Sequence, residues 1–129
     1  YPPEPDRDRD AYGIAPHVDT TFLTLLLQDA PGLVIYSADR DAWIEVPSVP
    51  DAFVVNTGEL LRQWSNDRFL STRHFANNDT GGSRYSVPLF LNASGDFPME
   101  CLPTCCGPDN PPKYPTVSYN ESQAIAQGE

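Results

Sequence analysis

The stretch Pro16-His17-Val18-Asp19-Thr20-Thr21-Phe22-Leu23-Thr24-Leu25-Leu26-Leu27-Gln28 decides how this chain is read. Its second half, residues 22–28, is apolar and continuous, which fits a buried strand. Its first half sets a histidine two residues before a carboxylate. In a strand, residues i and i+2 point to the same face, ~6.6 Å apart at ~3.3 Å rise per residue. His17 and Asp19 can therefore converge on one ion with bonds of ~2.0–2.2 Å, while Val18 points into the opposite layer. The chain has 2 histidines, and the other, His74, comes 55 residues after Asp19. A third ligand is thus expected from a non-adjacent strand, with chain enough between to go round a barrel and return.

Outward from that stretch, turn residues punctuate short apolar runs. Residues 1–11 are rich in proline and charge and read as a loop. Strands are expected over 22–28, 33–36, 43–46, 52–56, 69–75 and 84–91, separated by Ala30-Pro31-Gly32, by residues 37–41, by Pro47 and Pro50, and by the polar residues 77–83. Leu60, Leu61 and Trp64 fall at helical spacing, so one or two helical turns are expected over 58–64, ended by Ser65-Asn66-Asp67. A Pro-rich extended region over 98–115 precedes a short helix over 118–127. About seven short strands with one or two short helices make an all-β chain, either sandwich, barrel or jelly roll. The jelly roll is preferred, because its facing sheets bring strands distant in sequence to one ion.

The 129 residues suit one domain, 1–129, and 40% hydrophobic residues are enough for a core. A net charge of −10 leaves no basic stripe to neutralise phosphates, so nucleic acid is excluded as a partner, and an anionic membrane surface with it. No apolar run reaches the ~20 residues of a membrane-spanning helix. Cys101, Cys105 and Cys106 form a local cluster. Reduced thiols in a cytoplasmic protein are favoured over a disulfide framework, and a zinc site of cysteines alone would lack a fourth ligand. Asn78, Asn92 and Asn120 open glycosylation sequons that mean little without a signal peptide. The opening Tyr1-Pro2-Pro3, without methionine, reads as a fragment whose upstream portion is absent. The sequence leaves the oligomeric state open.

Two imidazoles and one carboxylate on one face of a metal leave the opposite face open, as in non-haem Fe(II) oxygenases, where a co-substrate and dioxygen can meet. Ten residues after His74 comes Arg84-Tyr85-Ser86. If these lie in a strand, Arg84 and Ser86 share a face. The guanidinium fork grips a carboxylate through two parallel hydrogen bonds, and the Ser86 hydroxyl adds a donor. Such a pair suits the distal carboxylate of a dicarboxylic keto acid whose other end chelates iron. The plain alternative for Arg84 is a surface ion pair on an acidic protein.

These elements occur together with Tyr1-Pro2-Pro3, Pro31-Gly32-Leu33, Trp43-Ile44-Glu45-Val46-Pro47, Ala52-Phe53-Val54-Val55-Asn56-Thr57-Gly58, Ser65-Asn66, Phe69-Leu70-Ser71-Thr72-Arg73-His74 and Arg84-Tyr85-Ser86-Val87-Pro88. Further on come Glu100-Cys101-Leu102-Pro103-Thr104-Cys105 and Asn110-Pro111-Pro112-Lys113-Tyr114-Pro115. With them the chain resembles, over residues 1–119, the C-terminal half of the isopenicillin N synthase-like 2-oxoglutarate/Fe(II) dioxygenases. The resemblance implies a double-stranded β-helix, the jelly-roll form, truncated at its N-terminal side. It implies Fe(II) on His17, Asp19 and His74, and 2-oxoglutarate on Arg84 and Ser86. Tyr1 is similar to the last residue of the family's Asn-x-Tyr motif, which also helps hold the co-substrate. Phe90 is similar to an aromatic lining the substrate pocket, with a core role as the alternative.

The implied activity is oxidation of a small organic substrate by dioxygen, giving hydroxylation or desaturation as 2-oxoglutarate is decarboxylated to succinate. Val18 stands where a Thr is commoner, and Phe75 where the family often has Arg. Neither change removes a ligand. Two other readings remain: a family oxidase that does not use 2-oxoglutarate, and a non-catalytic β-barrel binding fragment. Tyr1, at an unanchored end, is expected to fray.

Overall fold

A computed structural model of the chain describes residues 1–3 and 12–127. The loop expected over 1–11 lies, for residues 4–11, outside the described residues. Among the described residues the strands are β1 (Ile14–His17), β2 (Leu23–Gln28), β3 (Leu33–Ser37), β4 (Ala42–Val46), β5 (Val54–Thr57), β6 (His74–Ala76), β7 (Ser86–Leu91), β8 (Pro98–Met99) and β9 (Val117–Ser118). The helices are α1 (Glu59–Trp64) and α2 (Tyr119–Gln127), with a 3-10 turn over Pro103–Cys105. The chain is mostly β, as expected, and two of the strands are two-residue ribbons in the Pro-rich tail. Strands β2, β5 and β7 form a three-stranded sheet in the order β5-β2-β7.

Contacts sort the chain into two compact units. The first comprises residues 1–18, 25–55 and 72–89, and the second residues 19–24, 56–71 and 90–129.

The first unit contains a four-stranded antiparallel sheet in the order β1-β6-β3-β4. The β3–β4 hairpin runs in unbroken register from Leu33 opposite Val46 to Ser37 opposite Ala42. Its turn is closed by Asp41 at φ 47°, an αL position that aspartate tolerates, and the Tyr36 hydroxyl donates to the Asp41 carboxylate. Strand β6 runs between β1 and β3, so His74 pairs with Ile35 on one side and His17 on the other. Directly paired residues share a face. His17, His74, Ile35 and Ile44 therefore line one face. Val34, Tyr36, Trp43 and Phe75 line the other. On that second face Tyr12 packs on Phe75, Phe75 on Trp43 and Trp43 on Tyr36, edge to face at 5.0, 4.9 and 5.4 Å. Each such pair is worth about 0.5–1.5 kcal/mol beyond its buried area. The aromatic weight of this sheet thus lies opposite the histidines.

In the second unit α1 starts at Gly58 with no side-chain cap. The backbone amides at its start go instead to the segment before β2: Gly58 N to Phe22 O (3.1 Å), Glu59 N to Asp19 O (2.8 Å) and Leu60 N to Thr21 O (3.2 Å). Only glycine fits at 58, since a Cβ there would lie 2.0 Å from Thr21 O. Leu60 and Leu61 bury the inner face of α1. Asn66 and Asp67, both at positive φ, end its turn. Asn66 then staples the Pro-rich tail: its amide donates to Cys105 O and Pro111 O, each at 3.2 Å, and accepts from Lys113 N at 2.9 Å.

Two expected strands are shorter than read. Residues 69–73 are not strand, because side chains take part of their backbone bonding: Phe69 N donates to Ser65 Oγ (3.1 Å) and Leu70 O accepts from Thr57 Oγ1 (2.6 Å). Strand β7 begins at Ser86, so Arg84 precedes it. The expectation that His74 comes from a strand not adjacent to that of His17 also fails. The two histidines sit on hydrogen-bonded neighbouring strands of one sheet.

Candidate metal centre

The histidines are placed by strand register and by their own hydrogen bonds. Between Ile14↔Ala76 and His17↔His74 the register shifts by one residue, a bulge in β1 that re-aims His17 toward His74. Their ring centroids lie 4.4 Å apart. His17 Nδ1 faces Ala15 O at 2.8 Å, and His74 Nδ1 faces Thr72 O at 2.9 Å. A carbonyl only accepts, so each Nδ1 is the donor in its contact, which assigns Nε2 as the nitrogen that would bind a metal. Both rings are oriented in the same way, by the carbonyl two residues before them.

Asp19 completes the group but not by the expected route. Strand β1 ends at His17, so the i, i+2 rule of a strand does not aim Asp19. Its main chain is held by Glu59 N, and its carboxylate Oδ2 accepts from Thr24 Oγ1 (2.6 Å) and Asn56 Nδ2 (2.8 Å). The residue is 8% exposed. One ligand atom from each of His17, Asp19 and His74 can be chosen so that all lie within 4.8 Å of one another, the single group of this kind among the described residues. Two imidazoles and one carboxylate form the donor set that suits Fe(II).

Arg84 is no surface ion pair. It is 1% exposed. Its Nε donates to Ala30 O (3.2 Å) and its Nη2 to Gln28 Oε1 (3.0 Å), while Gln28 Nε2 donates to Pro47 O (3.2 Å). Nη1 is buried with no hydrogen-bond partner among the described residues. A buried, charged, unsatisfied donor is costly, and it is what a carboxylate ligand would satisfy. Gly32, at φ +131°, makes room for the arginine: a Cβ there would lie 2.2 Å from Asn77 O and 3.1 Å from Arg84 Nε.

Tyr1 does not fray. Its nitrogen donates to Arg84 O (2.8 Å), Arg84 N donates back to Tyr1 O (2.9 Å), and Asn78 Nδ2 donates to both Tyr1 O and Pro2 O at 2.9 Å. The Arg84 guanidinium lies 4.9 Å from the centre of the Tyr1 ring, a cation–π contact. Ser86 opens β7 and is half-buried. Phe90, on β7, is 51% exposed. Cys101, Cys105 and Cys106 are free thiols.

Four residues of this arrangement were given no role in it by their sequence: Thr24, Asn56, Gln28 and Asn78. Thr24 and Gln28 did carry a signal. They are polar residues four apart on one face of an apolar strand, and both are buried.

Comparison with known proteins agrees with this geometry. Residues 1–93 match the family model of the 2OG-Fe(II) oxygenase superfamily. Kihadalactone A synthase LFS of Citrus sinensis is 44% identical over 123 residues, which is 92% of this chain and 36% of that protein. The 2-oxoglutarate-Fe(II) type oxidoreductase hxnY of Emericella nidulans is 39% identical over 125 residues, covering 94% of this chain and 36% of its relative. The chain therefore spans about a third of the length of these relatives. The crystal structure of a dioxygenase for auxin oxidation in rice superposes with a TM-score of 0.83 at 27% identity, covering 93% of this chain and 42% of that one. The paired histidines, the clamped aspartate and the buried arginine thus sit in a chain that belongs to the 2OG-Fe(II) oxygenase superfamily.

Proposed function

We propose that this chain carries the iron and co-substrate site of a 2-oxoglutarate-dependent dioxygenase that hydroxylates or desaturates a small organic molecule. His17, Asp19 and His74 hold Fe(II). Arg84 receives the distal carboxylate of 2-oxoglutarate, with Ser86 and Tyr1 beside it. Phe90 faces substrate. Residues 1–129 belong to the catalytic domain, and the scaffold is the double-stranded β-helix of the family.

One observation carries the co-substrate reading: the buried, unsatisfied Nη1 of Arg84. Gln28 and Ala30 fix the rest of the guanidinium. The arginine is thereby pre-oriented, so little freedom is lost when a carboxylate arrives. With iron and 2-oxoglutarate bound, such a site supplies dioxygen activation coupled to decarboxylation. The chain's own part is to offer two neutral imidazoles and one carboxylate, to leave the opposite face open, and to anchor an anion away from water. Free thiols suit a reducing compartment, so a cytoplasmic location belongs to the same proposal.

The test is succinate formation by the protein supplied with Fe(II), 2-oxoglutarate and dioxygen. Turnover that His74→Ala abolishes is the expected result. Turnover equal in parent and His74→Ala, or Fe(II)-dependent oxidation without succinate, would overturn it.

A further inference from the structure

We propose that Thr24 and Asn56 are positioning residues that fix Asp19 as a one-oxygen ligand. The inference rests on the metal role just proposed for Asp19. Its basis is the clamp on Oδ2. Thr24 Oγ1 donates at 2.6 Å and Asn56 Nδ2 at 2.8 Å. A carboxylate oxygen offers two lone pairs, so Oδ2 is saturated by these two bonds. The Thr24 hydroxyl has one hydrogen, and it goes to Asp19. The Thr21 hydroxyl, 3.3 Å from Thr24 Oγ1, must then be the donor in that contact. The result is a directed chain from Thr21 to Thr24 to Asp19, in which each bond polarises the next.

The clamp is needed because of where Asp19 stands. It lies past the end of β1, so no ladder fixes its side chain. Thr24 is on β2 and Asn56 on β5, which are neighbours in one sheet. They grip the carboxylate from a rigid base, while Glu59 N holds the backbone oxygen of the same residue.

The consequence is chemical. With Oδ2 held by two donors, Oδ1 would be the oxygen to bind a metal. A one-oxygen aspartate and two imidazoles would leave three positions open on a six-coordinate ion. A keto acid that chelates takes two and leaves one. An aspartate bound through both oxygens would leave none. Thr24 and Asn56 therefore guard the last open position as well as orienting a ligand.

The test uses Mn(II) as a redox-inert probe with the parent, Thr24→Val, Thr24→Ser and Asn56→Ala. Calorimetry gives affinity, and water-proton relaxation counts the waters on bound Mn(II). Thr24→Val and Asn56→Ala are expected to weaken Mn(II) binding by about 10- to 100-fold, the usual cost of losing such a partner. They should also lower the water count, as the freed Oδ2 turns to the metal. Thr24→Ser keeps the donor and should behave like the parent. A merely structural role would not change the water count. If Thr24→Val does not fold, the half-buried Asn56→Ala decides alone. A parent that binds Mn(II), with variants matching it in affinity and water count, overturns this inference by itself. A parent that binds no Mn(II) overturns the metal reading and this inference together.

Discussion

Replacing Arg84 with lysine isolates recognition of the co-substrate from binding of the metal. The arginine commits Nε to Ala30 O and Nη2 to Gln28 Oε1, and keeps a buried Nη1 unsatisfied. Lysine keeps the charge but ends in a single nitrogen. It cannot hold Gln28 and also present the geometry of the fork to a carboxylate. At least one charge-assisted hydrogen bond is lost, worth about 1.5–3 kcal/mol. At about 1.4 kcal/mol per tenfold, 2-oxoglutarate should bind about 10- to 150-fold more weakly. The assay is calorimetric titration of 2-oxoglutarate into Mn(II)-loaded parent and Arg84→Lys. Mn(II) affinity should not change, because Arg84 is outside the metal-binding group. Binding of 2-oxobutyrate, which lacks the distal carboxylate, should be the same in both proteins. Parent-like affinity for 2-oxoglutarate in Arg84→Lys would refute the reasoning. So would an equal loss for 2-oxobutyrate, since the damage would then lie at the chelating end.

Two further substitutions probe the frame around the site. Gly32→Ala forces an L side chain to φ +131° with its Cβ 2.2 Å from Asn77 O. It should cost about 1–3 kcal/mol or more in a denaturant titration and weaken 2-oxoglutarate binding as Arg84 shifts; parent-like stability would mean the turn relaxes freely. Asp67 has its pKa held below the ordinary 3.8 by hydrogen bonds from Tyr114 and then Lys113. A depressed carboxylate contributes stability that is present above its unfolded pKa and lost as pH falls through the folded one. Asp67→Asn should therefore melt below the parent at neutral pH, with the gap closing as the pH drops below about 3.8. A gap that does not narrow as the pH is lowered would show that charge is not what Asp67 contributes.

Much of the fold was legible because its signals are local. Pro31-Gly32 and residues 37–41 mark turns around β3, and the five-residue β3 and β4 pair in the register that their hairpin sets. Leu60, Leu61 and Trp64 declared α1, with the two leucines buried as their spacing requires. Residues 69–73 misled because their composition is strand-like while their bonding partners, Ser65 Oγ and Thr57 Oγ1, come from around α1. Nothing in the apolar pattern of a segment reports that a hydroxyl elsewhere will claim its backbone.

The candidate site was legible to the depth of the residues that would bind metal and co-substrate, and no further, for a physical reason. Metal and carboxylate chemistry restrict residue type sharply, so His17, Asp19, His74 and Arg84 stand out in a chain with 2 histidines and 8 basic residues. The groups that aim them are hydroxyls, side-chain amides and backbone carbonyls, which occur everywhere and serve many ends. Yet β2 held a usable clue. Burying a polar group without a partner costs a few kcal/mol, so Thr24 and Gln28, four apart within an apolar strand, had to be bonded to something. One reaches Asp19 and the other Arg84. A single strand face thus braces both the carboxylate that would bind metal and the guanidinium that would bind the co-substrate. A polar residue at an inward position of an otherwise apolar strand is therefore the mark to look for. It says that the strand serves the site as well as the core, and that its partner will be a group whose orientation matters.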